Sequence, residues 1–222
     1  MTFNIGVSDY CNIDNNLIKE KIKELSDMYL DEYLKQNKVA FYYEKLLVKL
    51  DDIKQDTGII KFNKEDKEYT IKELIRLCIV ESDNTAYIKL INYVGKDKIE
   101  EYGKSLGATH TMEGKDLFGI TNCIDMVIYW KEIKKYINNG KYGNLFKDYL
   151  SNPTTKLINC LNNNYVRKYG SWDIAYHETG YVESNNEYYL IVLTQLNKEE
   201  HKEEFINKTA NLLDEINQEL SR

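Results

Sequence analysis

Apolar side chains recur every three or four residues along most of this chain, which is the spacing of helices that bury one face. The pattern begins in residues 15–36, where Asp14 is suited to cap the first turn. It predicts further helices over residues 41–53, 84–94, 96–105, 122–137, 146–160 and 205–220. Thr70 and Glu73 form a capping box ahead of another apolar stretch, so a helix is expected to start directly after Thr70.

The period changes to that of strands late in the chain. Residues 188–194 are apolar, β-branched or aromatic, and residues 172–182 form a second strand candidate. A short polar segment separates the two, so we expect an antiparallel hairpin. Helices in the middle of the chain, followed by a hairpin and a terminal helix, predict an α/β fold in which a helical lobe packs on a small antiparallel sheet.

Length and charge narrow the functional classes. A chain of 222 residues can bury one sizeable core, and a net charge of −6 argues against a nucleic-acid surface. No run of 18 apolar residues is present, so no membrane span is expected. Residues 1–20 have no basic segment followed by an apolar one. We therefore expect a cytoplasmic protein, unless an export signal has been removed.

Metal and nucleotide chemistry find little support. The four cysteines are widely spaced and form no C-x-x-C pair, and the three histidines occur in no H-E-x-x-H pattern. Neither G-x-x-x-x-G-K-[ST] nor G-x-G-x-x-G occurs. We expect no metal and no cofactor.

The most informative segment is Ser82-Asp83-Asn84, which follows the capped helix and precedes a second helix that stops at Gly95. Tyr102–Gly107, residues 121–131 and Ala175–Val182 follow in an order that resembles class A β-lactamases and penicillin-binding proteins. The likeness is weakest in residues 1–40. In this family, a Ser-Asp-Asn turn and a Lys-Thr-Gly strand form two walls of the active-site cleft.

The resemblance implies a single β-lactamase-like domain over residues 1–222, with a helical subdomain over about 41–165 and the hairpin and terminal helices from 1–40 and 166–222. It also implies a cleft whose binding residues are Ser82, Asp83, Asn84, His177, Thr179 and Gly180. In active relatives the serine hydroxyl shuttles a proton, and the asparagine holds the catalytic lysine and the substrate amide. Without a nucleophile, Asp83 can still fix the turn and Asn84 can still cap the next helix.

The family's nucleophile is missing. It requires a serine one helical turn before a lysine, yet none of the eight serines, and no threonine or cysteine, has a lysine three residues on. The best positional match is Tyr42 with Lys45. A phenol has a pKa of about 10 and carries its oxygen further from the backbone, so Tyr42 is a poor substitute for the serine.

Two further departures argue against β-lactam hydrolysis. Reading 178–180 as the Lys-Thr-Gly match puts Glu178 where the family's lysine binds the substrate carboxylate, which reverses the charge. Class A enzymes also carry a water-activating glutamate on a loop, with an asparagine shortly downstream. Glu113 lies in about that region without the asparagine, and is interpreted as a plain loop carboxylate.

Three hypotheses follow. The first is a degenerate family member, a pseudoenzyme that binds a small-molecule or cell-wall-derived ligand, or a protein partner, through the old cleft, whose degenerate positions are Tyr42, Lys45, Ser82, Asn84 and Glu178. The second is an active serine β-lactamase or penicillin-binding-type hydrolase with a displaced nucleophile, Ser82 or Ser171. The third is an unrelated helical interaction protein, which a structure without a sheet of three strands beside Ser82 would favour.

Overall fold

The computed structural model describes residues 40–111, 118–172, 175–195 and 202–220, so the predicted helix over 15–36 lies outside the described residues. The chain divides into two compact units, residues 1–44 and 45–222. The described part of the first unit is one turn of 3₁₀ helix, Ala40–Tyr43. All other elements below belong to the second unit.

Six α-helices are described: α1 (Ile71–Val80), α2 (Asn84–Val94), α3 (Lys96–Ser105), α4 (Cys123–Asn139), α5 (Gly143–Ser151) and α6 (Lys202–Leu220). The predicted capping box of α1 is confirmed. The Thr70 hydroxyl accepts from the Glu73 N–H at 3.2 Å, and the Glu73 carboxylate accepts from the Thr70 N–H at 2.7 Å.

Among the described residues, five strands form two antiparallel sheets. β1 (Lys45–Val48) pairs with β2 (Lys67–Thr70). The larger sheet has the order β3 (Asn164–Trp172), β4 (Ala175–Glu183) and β5 (Tyr188–Gln195). The predicted hairpin is confirmed as β4 and β5. The sequence pattern did not reveal β3, which is an edge strand of the sheet described.

Two predicted helices need correction. Residues 41–53 do not form one helix but contain β1 and the short 3₁₀ helix Leu50–Asp52. β1 pairs with β2, and Val48 at the end of β1 is fully buried. The predicted helix over 146–160 ends at Ser151, and buried Pro153 follows. Proline cannot donate a helical hydrogen bond, so the chain leaves the helix there.

The larger sheet has a core on each face. On one face, α1, α4 and α5 pack through a cluster that contains Ile79, Trp130, Ile137, Leu150, Val166 and Tyr181. On the other face, α6 and the segment 157–158 pack through a cluster that contains Leu157, Ile158, Tyr165, Val182, Leu190, Ile206 and Ala210. Successive residues of a strand point to opposite faces, so neighbours in β3 and β4 enter different cores.

Candidate functional site

The site is built around the tight turn between α1 and α2. Ser82 has a φ of 49°, in the left-handed region that non-glycine residues rarely adopt. The next residue, Asp83, is fully buried and caps α2, and its carboxylate accepts from the Ala86 N–H at 3.0 Å. This cap fixes the start of α2, so the position of the Ser82 hydroxyl is determined by the fold.

A neighbouring loop holds the same turn from the other side. The second carboxylate oxygen of Asp83 accepts from the N–H groups of Ile59 and Ile60, each at 2.8 Å. Gly58 passes so close that a Cβ there would lie 2.1 Å from this oxygen, and its φ of 91° also favours glycine. Asp83 therefore ties two segments together and needs a glycine beside it.

Side chains of the turn complete the connection to this loop. The Thr57 hydroxyl donates to the Ser82 carbonyl at 2.7 Å. The Asn84 side-chain amide donates to the Asp56 carboxylate at 2.7 Å. An asparagine amide has two N–H groups, and one of them is held by Asp56. The Asn84 side chain therefore helps to hold the loop that carries Asp56.

Lys168 of β3 brings a cation to the turn. Its Nζ donates to the Ser82 Oγ, and to the carbonyl of Tyr169 at 2.8 Å. Burial lowers the pKa of Lys168 below its ordinary value, and the Glu178 charge acts in the opposite direction without cancelling this effect. Burial raises the pKa of the nearby Cys78 thiol to about 11, so Cys78 is a neutral neighbour.

Strand geometry explains how Lys168 arrives there. Val166 packs in the core on the helical face, and Lys168, two residues further along β3, points to the same face. Lys168-Tyr169-Gly170 keeps the first and third residues of the Lys-Thr-Gly motif. Sequence reasoning missed it because it missed β3, and the Lys-x-Gly spacing was the signal that could have found it.

The expected place of Glu178 is wrong. It lies in the central strand with no exposed surface and points to the α6 face of the sheet. Its carboxylate is 3.0 Å from the Arg167 guanidinium and accepts from the N–H groups of Leu157 and Ile158. Arg167 also donates to the Ile158 carbonyl. Glu178 thus fixes the segment after α5 and does not reverse the charge beside Ser82.

The other residues expected from the β4 segment lie around this central strand. Thr179 is buried opposite Lys168 in the β3–β4 ladder, and its hydroxyl accepts from Trp130 Nε1 at 3.0 Å. Gly180 has no room for a side chain, since a Cβ would lie 2.0 Å from the Val166 carbonyl. His177 Nδ1 accepts from the Thr194 N–H at 3.0 Å, and burial lowers the His177 pKa. β4 is the expected edge strand beside Ser82, but in the described sheet β4 is central and β3 is the edge strand that contacts Ser82.

The expected nucleophile pair also takes another form. Tyr42 lies in the 3₁₀ turn Ala40–Tyr43 and is half-buried. Lys45 is in β1, where it makes a largely exposed ion pair with Glu68 at 3.6 Å. Since Lys45 is in a strand, the one-turn helical spacing assumed for the pair does not apply.

The loop expected to carry a water-activating residue is described only at its ends, and Glu113 lies outside the described residues. The N-terminal end of this loop is held by Asp125, which is fully buried at the start of α4. Asp125 accepts from the N–H groups of Thr109 and His110 at 2.9 and 2.8 Å. Burial raises the pKa of Asp125, but these hydrogen bonds outweigh it and leave the pKa below its usual value.

The described residues meet neither the requirements of a metal site nor those of a membrane-spanning helix. In the part of the chain that the structure describes, no three His, Cys, Asp or Glu side chains are grouped to hold a metal ion. No helix within that part is long and apolar enough to cross a membrane.

Comparison with known proteins reveals a family match. The model of the Beta-lactamase enzyme family matches residues 28–218. Among solved structures, a β-lactamase from Sphaerobacter thermophilus DSM 20745 is 16% identical with a TM-score of 0.70, and the match covers 80% of this chain and 74% of that one. A β-lactamase from Francisella tularensis is 21% identical with a TM-score of 0.62, over 83% and 80% of the two chains.

A mutant of PBP-A, solved as an acyl-enzyme complex with penicillin G, is 16% identical with a TM-score of 0.71, over 84% of this chain and 76% of that one. A search of curated proteins found no match. At these identities the structural likeness shows the fold alone. The family match and the three-stranded sheet beside Ser82 contradict the hypothesis of an unrelated helical protein.

Proposed function

This chain belongs to the beta-lactamase enzyme family, and we propose that it is a pseudoenzyme of that family, which binds an anionic ligand at Ser82 and Lys168 without hydrolysing it. One observation carries the proposal. The cleft keeps its lysine–serine contact, while the sequence has no serine, threonine or cysteine three residues before a lysine. Hydrolysis by the family's route needs both features.

The contacts of Asn84 support the same conclusion. In active relatives this amide would hold the first catalytic lysine and the substrate amide. Here it donates to Asp56. That hydrogen bond is charge-assisted and uses one of the two amide N–H groups, so one of the donors of Asn84 is already committed to the loop. The loop thus sets the orientation of the Asn84 side chain.

The chemistry of the ligand follows from the groups that remain. A half-buried ammonium and a serine hydroxyl form a donor pair that suits a carboxylate. Because Glu178 lies in the core, no neighbouring carboxylate from β4 opposes such a ligand. The homologous PBP-A mutant carries penicillin G, which has a carboxylate, and peptides that end in D-alanine present the same group.

Ligand-observed NMR tests the binding, with N-acetyl-D-alanyl-D-alanine and benzylpenicillin as probes. We expect saturable, reversible binding that Lys168→Met abolishes. Lys45→Met is the matched control, because Lys45 is an exposed lysine of β1 whose ion partner is Glu68. No binding to the wild type, or equal loss in both variants, would contradict the proposed ligand class.

A second candidate function is favoured by the same contact. Lys168 touches the Ser82 hydroxyl directly, and burial shifts this amine toward the neutral form that a general base requires. A neutral Lys168 could take the Ser82 proton as Oγ attacks a carbonyl carbon. The serine would then be acylated as the carbonyl carbon–nitrogen bond breaks, and the leaving nitrogen would take the proton that Lys168 holds. This is a serine–lysine pair with the nucleophile displaced to the turn.

Intact-mass analysis after incubation with excess benzylpenicillin separates the two candidates. A chromogenic cephalosporin assay runs alongside, with Ser82→Ala as the control. The pseudoenzyme gives no mass increase and no turnover. An adduct of one penicilloyl group that maps to Ser82 and is lost in Ser82→Ala would establish the hydrolase and overturn the pseudoenzyme.

A further inference from the structure

A cavity of about 270 Å³ lies over one end of the larger sheet. Strands β4 and β5 supply its lining, which consists of Ala175, His177, Leu193, Thr194 and Gln195. Ala175 pairs with Gln195, and His177 pairs with Leu193, so these four residues form neighbouring rungs on one face of the sheet. The cavity therefore combines apolar walls with side chains that can form hydrogen bonds.

The cavity lies on the face of the sheet that carries Lys168. Thr179, two residues after His177 in β4, accepts a hydrogen bond from Trp130 of α4, which places both strand residues on the helical face. His177 is opposite Gly170 in the β3–β4 ladder, and Gly170 is two residues after Lys168. Residues two apart in a strand share a face and are about 6.6 Å apart. The rung of His177 is therefore that far along the sheet from the rung of Lys168.

His177 presents one defined donor to this cavity. Its Nδ1 accepts from the Thr194 N–H at 3.0 Å, so Nδ1 carries no proton. Burial lowers the pKa of His177, which favours the neutral ring. In a neutral imidazole whose Nδ1 is an acceptor, Nε2 carries the hydrogen. Thr194 is the hydrogen-bond partner that the described residues give His177, so the Nε2–H is available to an acceptor in the cavity.

Two residues of β3 leave room beside the cavity. A Cβ on Gly170 would meet no atom of the described residues within 4 Å. Trp172 pairs with Ala175 and is 78% exposed, so it stands next to the cavity at the outer end of the sheet. An exposed indole offers a large apolar contact surface. Open space, an apolar ring and a hydrogen-bond donor thus lie together on the face of Lys168.

On the basis of the function proposed above, we propose that this cavity binds the amide carbonyl and the apolar end of the ligand whose carboxylate contacts Lys168 and Ser82. We call the cavity the His177 subsite. The His177 Nε2–H donates to the carbonyl oxygen, because a neutral imidazole brings no charge for a second carboxylate. The cavity exceeds the about 150 Å³ that hold a benzene molecule in a protein core, so it accepts an apolar group of that size. The ligand class is an N-acyl dipeptide with a free carboxylate, since two strand residues separate the two contacts.

The chain itself is the alternative occupant of the His177 subsite, because residues 1–39, 173–174 and 196–201 lie outside the described residues. Ala175→Leu separates the two occupants, since it adds three carbon atoms to the cavity wall. If the cavity is open to a ligand, the thermal unfolding midpoint stays within about 2 °C of the wild type. If the chain fills the cavity, overpacking lowers the midpoint by more than that. The second outcome overturns the proposal.

Three probes test the subsite: N-benzoylglycylglycine, N-acetylglycylglycine and benzamide. Ligand-observed NMR measures their affinities, and the fluorescence of Trp172 reports occupancy, because the other tryptophan, Trp130, is buried. The wild type should bind N-benzoylglycylglycine about tenfold more tightly than N-acetylglycylglycine, because only the benzoyl group fills the cavity. Ala175→Leu should abolish this ratio. A ratio near one in the wild type, or a ratio that Ala175→Leu leaves unchanged, overturns the proposal.

The same probes distinguish a failure of the subsite from a failure of the proposed function. Lys168→Met removes the carboxylate contact, so it should weaken both peptides by the same factor and leave their ratio at about ten. Lys168-dependent binding of both peptides with equal affinity overturns the His177 subsite and leaves the proposed function intact. Benzamide binding that Ala175→Leu abolishes, without Lys168-dependent binding of either peptide, overturns the proposed function and supports the cavity as a site for a neutral amide.

Discussion

Two cations stand next to each other in β3, and the contrast between them explains the site. Arg167 points to the α6 face, where it pairs with a fully buried glutamate and also donates to the Ile158 carbonyl. Lys168 points to the helical face, where its partners are the Ser82 hydroxyl and the Tyr169 carbonyl. The first cation meets a full negative charge, and the hydrogen bonds of the second to described residues go to neutral oxygens.

The two neighbouring cations of β3 therefore have different roles. A guanidinium presents its donors in a fixed planar fork, which suits simultaneous contact with a carboxylate and a carbonyl. Arg167 also lies 4.8 Å from the Tyr165 ring, so it is packed as well as paired. Lys168 has no anionic partner among its hydrogen bonds. It is therefore the cation that an incoming anion can pair with.

The largest expected effect comes from removing Arg167. Arg167→Met leaves Glu178 buried without its ion partner, so we expect the free energy of unfolding to fall by about 3–5 kcal/mol. Urea unfolding followed by circular dichroism measures the loss. Glu178→Gln, which keeps acceptors for the Leu157 and Ile158 N–H groups, should cost clearly less. Equal losses in both variants would contradict this reason, because only Arg167→Met leaves a buried carboxylate without a cation.

A smaller loss is expected on the cleft side of the molecule, at Asp83. Asp83→Ala leaves the N–H groups of Ile59, Ile60 and Ala86 without their acceptor, so we expect a loss of about 2–4 kcal/mol. Asp56→Ala is the control, because it removes only exposed contacts, to the Asn84 amide and the Thr57 N–H, and should cost about 1 kcal/mol or less. Comparable losses would contradict a special role for the buried cap.

The Ser82 turn and β3 also differ in how far the sequence predicts them. The α1 cap, the following helices and the β4–β5 hairpin obey local rules of period and capping, and the structure confirms them. The Ser82 turn was recognisable for the same reason. Residues 41–53 do not follow these local rules, because a strand of four residues has too few positions to reveal its period.

The strand that carries Lys168 to Ser82 could not be placed by local rules. Residues 164–172 mix asparagine, two cations, a glycine and a serine, which obscures the strand period. Because the pattern does not reveal β3, the Lys-Thr-Gly spacing matches the next strand instead, at Glu178, Thr179 and Gly180. This match puts Glu178, a core residue, in the place beside Ser82 that Lys168 occupies. Which face a strand residue occupies depends on the sheet around it, and periodicity alone does not supply that.

The capping box of α1 gives a smaller effect that separates local from tertiary stabilisation. Thr70→Ala removes the side-chain acceptor for the Glu73 N–H and should lower the free energy of unfolding by about 1 kcal/mol. Thr70→Ser keeps the hydroxyl and should cost only a fraction of that. Thermal unfolding of both variants measures the difference. A Thr70→Ser variant as unstable as Thr70→Ala would assign the effect to lost packing of the methyl group.

The smallest effect is a pH dependence that distinguishes the two cations of β3. Burial lowers the pKa of Lys168, so the unfolded chain binds this proton more tightly than the folded protein. Below the folded pKa the penalty for burying the charge is fully present. As the pH rises from the folded pKa toward the unfolded value of about 10.4, the penalty is relieved and stability increases. The free energy of unfolding of the wild type, minus that of Lys168→Met, should therefore rise over this window. The same difference for Arg167→Met should show no rise from the loss of its own charge, because a guanidinium keeps its proton there. A flat difference for Lys168→Met would mean that the ammonium is compensated in the folded protein, as Arg167 is, and the contrast between the two faces would lose its electrostatic basis.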